Sequence, residues 1–259
     1  MGTFLFQDIV YGPVHSRRLG VSLGVNVSPA DGKRCTFNCI YCECGLNEER
    51  PATTKAPRRE EVRGALEAKL LQMAAAEAYP DVITFSGNGE PTLHPAFAGI
   101  IDDTLALRDR LCPQAKVAVL SNSTMVWKDA VFRALCRVDE NIMKLDSATD
   151  ALMRQIDQPV QAGFTCGEVI RQLCRFDGKV CVQTIFLRGE RDGAVIDNTG
   201  DAAVGAWLEA LKEICPRRVM IYTVDRETPV RSLRKVPKEE LEAIADRVRA
   251  AGFDVSVSA

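Results

Sequence analysis

The run Val180-Cys181-Val182-Gln183-Thr184-Ile185-Phe186-Leu187 is apolar except at Gln183 and Thr184. It has the length of a strand, and its β-branched and aromatic residues leave neither face polar. A strand without a polar face is covered on both sides, as in parallel sheets packed under helices. Val117-Ala118-Val119-Leu120 reads the same way. Outward from these two runs, strands are predicted over 21–28, 81–85, 116–121, 141–146, 179–187, 217–224 and 253–257. Helices over 60–79, 95–111, 129–138, 165–176, 201–214 and 238–251 alternate with them, and in the first of these Val62, Leu66, Leu70 and Met73 recur at helical spacing. Six β/α units with short connections define an α/β chain with one parallel sheet covered by helices, either curled into a barrel or open and doubly wound. In both arrangements the loops at the carboxyl ends of the strands meet over one rim, where ligands bind.

The 259 residues, 46% hydrophobic and 26% charged, suffice for one substantial core. No linker or internal repeat divides them, so a single domain over 1–259 is expected, with an arm over 1–20 leading into the β/α body over 21–259. Residues 47–59 are polar and charged and read as a surface loop. A formal charge of -2 argues against general attraction to nucleic acid or anionic lipid. Ten cysteines without a charged-then-apolar leader fit a reducing, cytoplasmic setting better than a disulfide scaffold. No apolar run approaches the roughly 18 residues of a membrane span, so no membrane partner is expected.

On the loop after the first strand, three cysteines fall within eight residues in Cys35-Thr36-Phe37-Asn38-Cys39-Ile40-Tyr41-Cys42. One loop can wrap one cluster, and three thiolates leave one iron of a cubane open to a reactant. The competing readings are a structural zinc site completed by Cys44 or His94 and a purely electron-transferring cluster, both of which want a fourth ligand. One β/α unit later comes Ser86-Gly87-Asn88-Gly89-Glu90-Pro91. Its glycines let backbone approach a ligand, and its carbonyls and carboxylate suit an ammonium group; a plain strand-to-helix turn is the alternative. Lys144 and Asp146 share one strand face, where a buried pair is satisfied by each other or by a ligand. Ser121 and Asn122 end the preceding strand with short hydrogen-bonding groups, which also suit a turn or a helix cap. Gln183 interrupts its apolar strand and can reach the same rim.

The cysteine triplet, with an aromatic residue before its last member, resembles the signature of the radical S-adenosylmethionine (SAM) superfamily. That resemblance implies a partial (β/α)6 TIM-like barrel, a 4Fe-4S cluster on Cys35, Cys39 and Cys42, and SAM at the open iron with Tyr41 near its adenine. Gly87-Asn88-Gly89-Glu90-Pro91 is similar to the superfamily's Gly-Gly-Glu-Pro motif, which holds the SAM amino group, with Asn88 inserted. Ser121-Asn122-Ser123 looks like its Thr-Asn-Gly segment. By the same resemblance Lys144 and Asp146 contact the ribose or carboxylate of SAM, and Gln183 the ribose or the substrate. The implied chemistry is reductive cleavage of SAM to a 5'-deoxyadenosyl radical that takes hydrogen from a substrate, with an electron donor such as flavodoxin or ferredoxin.

Gly12-Pro13-Val14-His15-Ser16-Arg17-Arg18-Leu19-Gly20 is similar to the start of small Fe-S oxidoreductases related to the wybutosine-type tRNA modifiers, with His15 where proline is usual. Paired guanidiniums grip carboxylate or phosphate, so His15, Arg17 and Arg18 are candidates for an anionic substrate; a latch for the arm is the equal alternative. Tyr222, Asp225 and Arg226, in a rim segment that resembles the same group, are candidates for substrate contact or for a loop tied by a local Asp225-Arg226 interaction. The substrate implied is a peptide, a small metabolite or tRNA, and an acidic chain without an RNA-binding appendage weighs against the last. Cys136, Cys174 and Cys181 read as small buried hydrophobes.

Overall fold

The computed structural model describes residues 3–16 and 18–259. In chain order the strands are β1 (Val10–Ser16), β2 (Gly20–Val25), β3 (Val82–Phe85), β4 (Lys116–Ser121), β5 (Glu140–Lys144), β6 (Cys181–Arg191), β7 (Ala194–Asp197), β8 (Arg218–Thr223), β9 (Arg234–Lys235) and β10 (Val255–Ser258). The α-helices are α1 (Arg59–Ala75), α2 (Phe97–Leu111), α3 (Asp129–Leu135), α4 (Asp150–Ile156), α5 (Cys166–Cys174), α6 (Asp201–Ile214) and α7 (Lys238–Ala250). β2, β3, β4, β5, β6, β8 and β10 pair in that order, all parallel. A doubly wound sheet reverses its order at a switch point, and this one never does. Right-handed crossovers that always step the same way put every helix on one face, so the sheet curls into a partial barrel with the helices outside.

The outward side chains of the strands and the inner faces of the helices make the main core, in which Leu23, Phe85, Val119 and Val182 meet Leu66, Ile101, Trp207 and Leu241. On the concave side a small layer of Ile142, Cys181 and Met220, with Leu19 and Leu120, closes the lumen. Strands buried on both sides account for the continuous apolar runs of β4 and β6.

Several features depart from the sequence expectation, including the short α4 and β9, for which no element is expected. The arm is partly a strand: β1 pairs antiparallel with β2, and the Tyr11 ring occupies the place of a side chain at Gly24, where a Cβ would fall 2.1 Å from Tyr11 Cζ. β2 stops at Val25 because the Asn26 side chain turns inward to accept from Ser28 N and Asn88 N, both at 3.1 Å. β6 runs beyond Leu187 into a charged hairpin with β7, closed by Asp192-Gly193, both at positive φ; that dipeptide is itself a strong hairpin signal. Cys136 is exposed rather than buried, since it caps α3 past the helix's apolar face, while Cys174 is half-buried and Cys181 buried. No helix among the described residues is long and apolar enough to cross a membrane.

Candidate functional site

The cysteine loop lies between β2 and α1 and is fastened to the rim on three sides. Arg34, just before Cys35, donates its N–H to Asn88 O at 2.9 Å and accepts from Glu90 N at 3.0 Å. This approach requires Gly89, which sits at φ +145° and whose Cβ would lie 1.9 Å from the Arg34 carbonyl oxygen. Asn38 N and Ile40 N donate to Asp157 O and Ile156 O at 2.8 and 3.0 Å, at the end of α4. Thr36 Oγ1 meets Thr124 Oγ1 at 2.6 Å and accepts from Asn122 Nδ2 at 2.8 Å.

Each sulfur has its own polar neighbour. Asn122 Nδ2 donates to Cys35 Sγ at 3.5 Å, and Lys144 Nζ donates to Cys39 Sγ at 3.0 Å. Burial pushes the Cys35 thiol up to about 11. It raises Cys39 well above the ordinary thiol value, against the pull of Lys144. Cys42 is drawn down to about 5, first by its hydrogen bond with Cys44 and then by the Lys33 ammonium. Lys33 is 5% exposed and donates to Gly45 O at 2.8 Å. Three sulfur donors on one shielded loop, faced by ammonium and amide donors, fit an anionic cluster that its protein ligands must hold as thiolates.

A four-ligand zinc site fits less well. Both ring nitrogens of His94 are engaged, Nε2 with Pro57 O at 2.8 Å and Nδ1 accepting from Ala96 N at 3.1 Å. Cys44 Sγ donates to Gly87 O at 3.3 Å. Among the described residues no group of three or more His, Cys, Asp or Glu side chains is placed to hold a metal ion. A cubane spreads three thiolates over three irons.

Beside Cys39, Lys144 Nζ stands 3.4 Å from both Asp146 Oδ2 and Asp157 Oδ1 and 4.6 Å from the centre of the Tyr41 ring. Tyr41 Oη donates to Asp146 Oδ2, whose other oxygen accepts from Ile185 N at 3.0 Å. The Asp157 carboxyl is held well above the usual carboxylate range by burial and by its neighbour Asp146. Asp157 escaped sequence reasoning because it ends α4, a helix with too few turns to show a period. Gln183 pairs in register with Lys144 on the next strand.

Glu90 is 3% exposed and already saturated: it accepts from Thr92 N, Ser121 Oγ and Asn122 N at 3.0, 2.9 and 2.6 Å, and from Thr92 Oγ1. Burial raises its pKa, against these hydrogen bonds. The inserted Asn88 holds the arm, accepting from Phe6 N at 2.8 Å and donating to Phe6 O and Pro29 O at 2.8 and 2.9 Å. Of the remaining candidates, Arg18 stacks on Tyr222 with its guanidinium carbon 4.6 Å from the ring centre. His15 is exposed on β1. Asp225 accepts from Lys235 Nζ at 3.0 Å, and Arg226 reaches across to Glu43 at 2.6 Å. Arg17 lies outside the described residues. The structure therefore gathers the three cysteines, Tyr41, Asn122, Lys144 and Asp146 at one place, and leaves His15 apart.

The architecture is that of the radical SAM enzymes. A radical SAM methyltransferase from Sphaerobacter thermophilus superposes with TM-score 0.68 at 18% identity, over 92% of this chain and 65% of that one. SuiB from Streptococcus suis bound to S-adenosylmethionine gives 0.65 at 13% identity, over 91% of this chain and 50% of that one. TYW1 with a lysine-pyruvate adduct gives 0.62 at 16%, over 88% and 73%. This chain thus spans about two thirds of the first structure and half of the second. No family model matches the sequence. A UPF0026 protein of Helicobacter pylori is 29% identical over 237 residues, 90% of this chain and 71% of its own length. Another, from Synechocystis, is 31% identical over 227 residues, 85% and 77% of the two lengths. The chain belongs to the UPF0026 family.

Proposed function

We propose that this protein is a radical SAM enzyme whose Cys35, Cys39 and Cys42 ligate a 4Fe-4S cluster. The observation that carries the reading is the shielded cysteine loop, pinned across the rim of a partial barrel with an amide on the Cys35 sulfur and an ammonium on the Cys39 sulfur. When bound, the reduced cluster supplies an electron that splits SAM into methionine and a 5'-deoxyadenosyl radical, which takes a hydrogen atom from substrate. The chain's own residues bind and orient. The backbone of Gly87 to Glu90, ordered by the Glu90 carboxylate, suits the SAM amino group. Tyr41 borders the adenine; Lys144 and Asp146, with Ser121, Asn122 and Gln183 nearby, suit the ribose and carboxylate. An external one-electron donor of the flavodoxin or ferredoxin kind reduces the cluster, and the substrate is a peptide, a small metabolite or tRNA.

Anaerobic purification and reconstitution test this directly. About four irons and four sulfides per chain are expected, with an electron paramagnetic resonance signal in the reduced protein that changes on adding SAM. Cys35→Ala, Cys39→Ala and Cys42→Ala should each lose the cluster, and full iron content in all three variants would overturn the assignment.

A further inference from the structure

Leu19 leads into β2 on the concave side of the sheet. It packs there against the Ile142, Cys181 and Met220 layer, and next to it the Arg18 guanidinium lies over the ring of Tyr222. Tyr222 packs against the same small cluster as Tyr41 of the cysteine loop, and its phenol is pushed up to about 12, chiefly by burial. Among the described residues the Arg18 Nη1 is shielded from solvent and has no acceptor. A shielded guanidinium N–H without an acceptor is costly, and native structures keep such groups where something else completes them. The neighbouring charges cannot do so: Asp146 and Asp157 are committed to Lys144 and to each other.

We infer that Arg18 receives a carboxylate of the substrate inside the barrel, with Tyr222 as the platform that fixes the guanidinium plane. The inference rests on the enzyme reading above and narrows its substrate to a carboxylic acid. A planar guanidinium held flat against an aromatic ring presents its N–H edge, which matches the two oxygens of a carboxylate. One cation matches one negative charge, and the nearby Asp146 disfavours a doubly charged phosphate. Leu19, Ile142 and Met220 close the lumen beneath Arg18, so a molecule anchored there extends the other way, past Tyr222 toward Tyr41 and the cysteine loop.

The test uses cluster-loaded protein under anaerobic conditions and calorimetric titration with acetate, succinate, inorganic phosphate and, separately, SAM. Acetate and succinate should bind saturably to the wild type and about tenfold to a hundredfold more weakly to Arg18→Gln, with SAM affinity the same in both proteins. Equal carboxylate affinity in the two proteins, no saturable carboxylate binding to the wild type, or a preference for phosphate would each overturn the inference. A wild type that binds carboxylate but not SAM would instead remove the enzyme reading and leave the Arg18 site standing. Should Arg18→Gln fail to fold, Tyr222→Leu carries the same comparison, with weakened carboxylate binding expected and unchanged binding decisive against the platform.

Discussion

Glu90 illustrates at the scale of one residue how a motif's chemistry can be turned inward. Both carboxylate oxygens are taken by donors from its own turn and from the end of β4. Glu90→Ala would leave Thr92 N and Asn122 N shielded without an acceptor, so a loss of about 3 kcal/mol in urea unfolding is expected, with the slope against denaturant unchanged. SAM affinity should fall with it, because the turn's backbone loses its brace. Weaker SAM binding with wild-type stability would mean instead that the carboxylate meets the ligand itself. The cysteines, Tyr41, Lys144 and Asp146 were legible in the sequence because each belongs to a short local pattern. Lys33, Thr36 and Asp157 were not, since what matters is their long-range pairing: Cys39 and Asp157 lie 118 positions apart, and nothing beside Asp157 marks it.

Among the elements, the decisive joint is the pairing of Arg34 with the Gly87 to Glu90 turn, which couples the cysteine loop to the loop after β3. Gly89→Ala drives a Cβ into the Arg34 carbonyl at a backbone angle that side chains avoid. The expected result is a chain with wild-type far-ultraviolet circular dichroism that takes up little iron on reconstitution; full uptake would show that the loop does not need this joint. Long periodic elements such as α1 and α6 could be read directly from their apolar spacing. α4 could not, because seven residues carry too few apolar positions to define a period, and β1 could not, because only its pairing with β2 reveals it. The hairpin beyond β6 was readable in principle from Asp192-Gly193, but the charged residues around it masked the strand pattern.

For the whole molecule, alternation alone left a barrel and a doubly wound sheet equally open, because both alternate in the same way along the chain. Strand order separates them, and order is set by packing of the helices on one face rather than by any local signal. The arm adds a second long-range constraint. Tyr11 stacks on Phe6 with ring centres 3.7 Å apart, fills the space at Gly24 and shares a 2.7 Å hydrogen bond with Ser86 at the end of β3. Burial pushes its phenol from an ordinary value near 10 to about 12. A folded-state value above the unfolded one means that this group's contribution is fully present below pH 10 and is lost as the pH rises through 12. Tyr11→Phe should therefore be less stable by about 1 kcal/mol near neutral pH, through loss of the Ser86 hydrogen bond. As the pH climbs through that window the gap should close and then reverse, because the variant has no phenol to ionise. Urea unfolding of both proteins across the alkaline range measures it, and a constant gap would mean that the hydroxyl is not shielded in the folded arm.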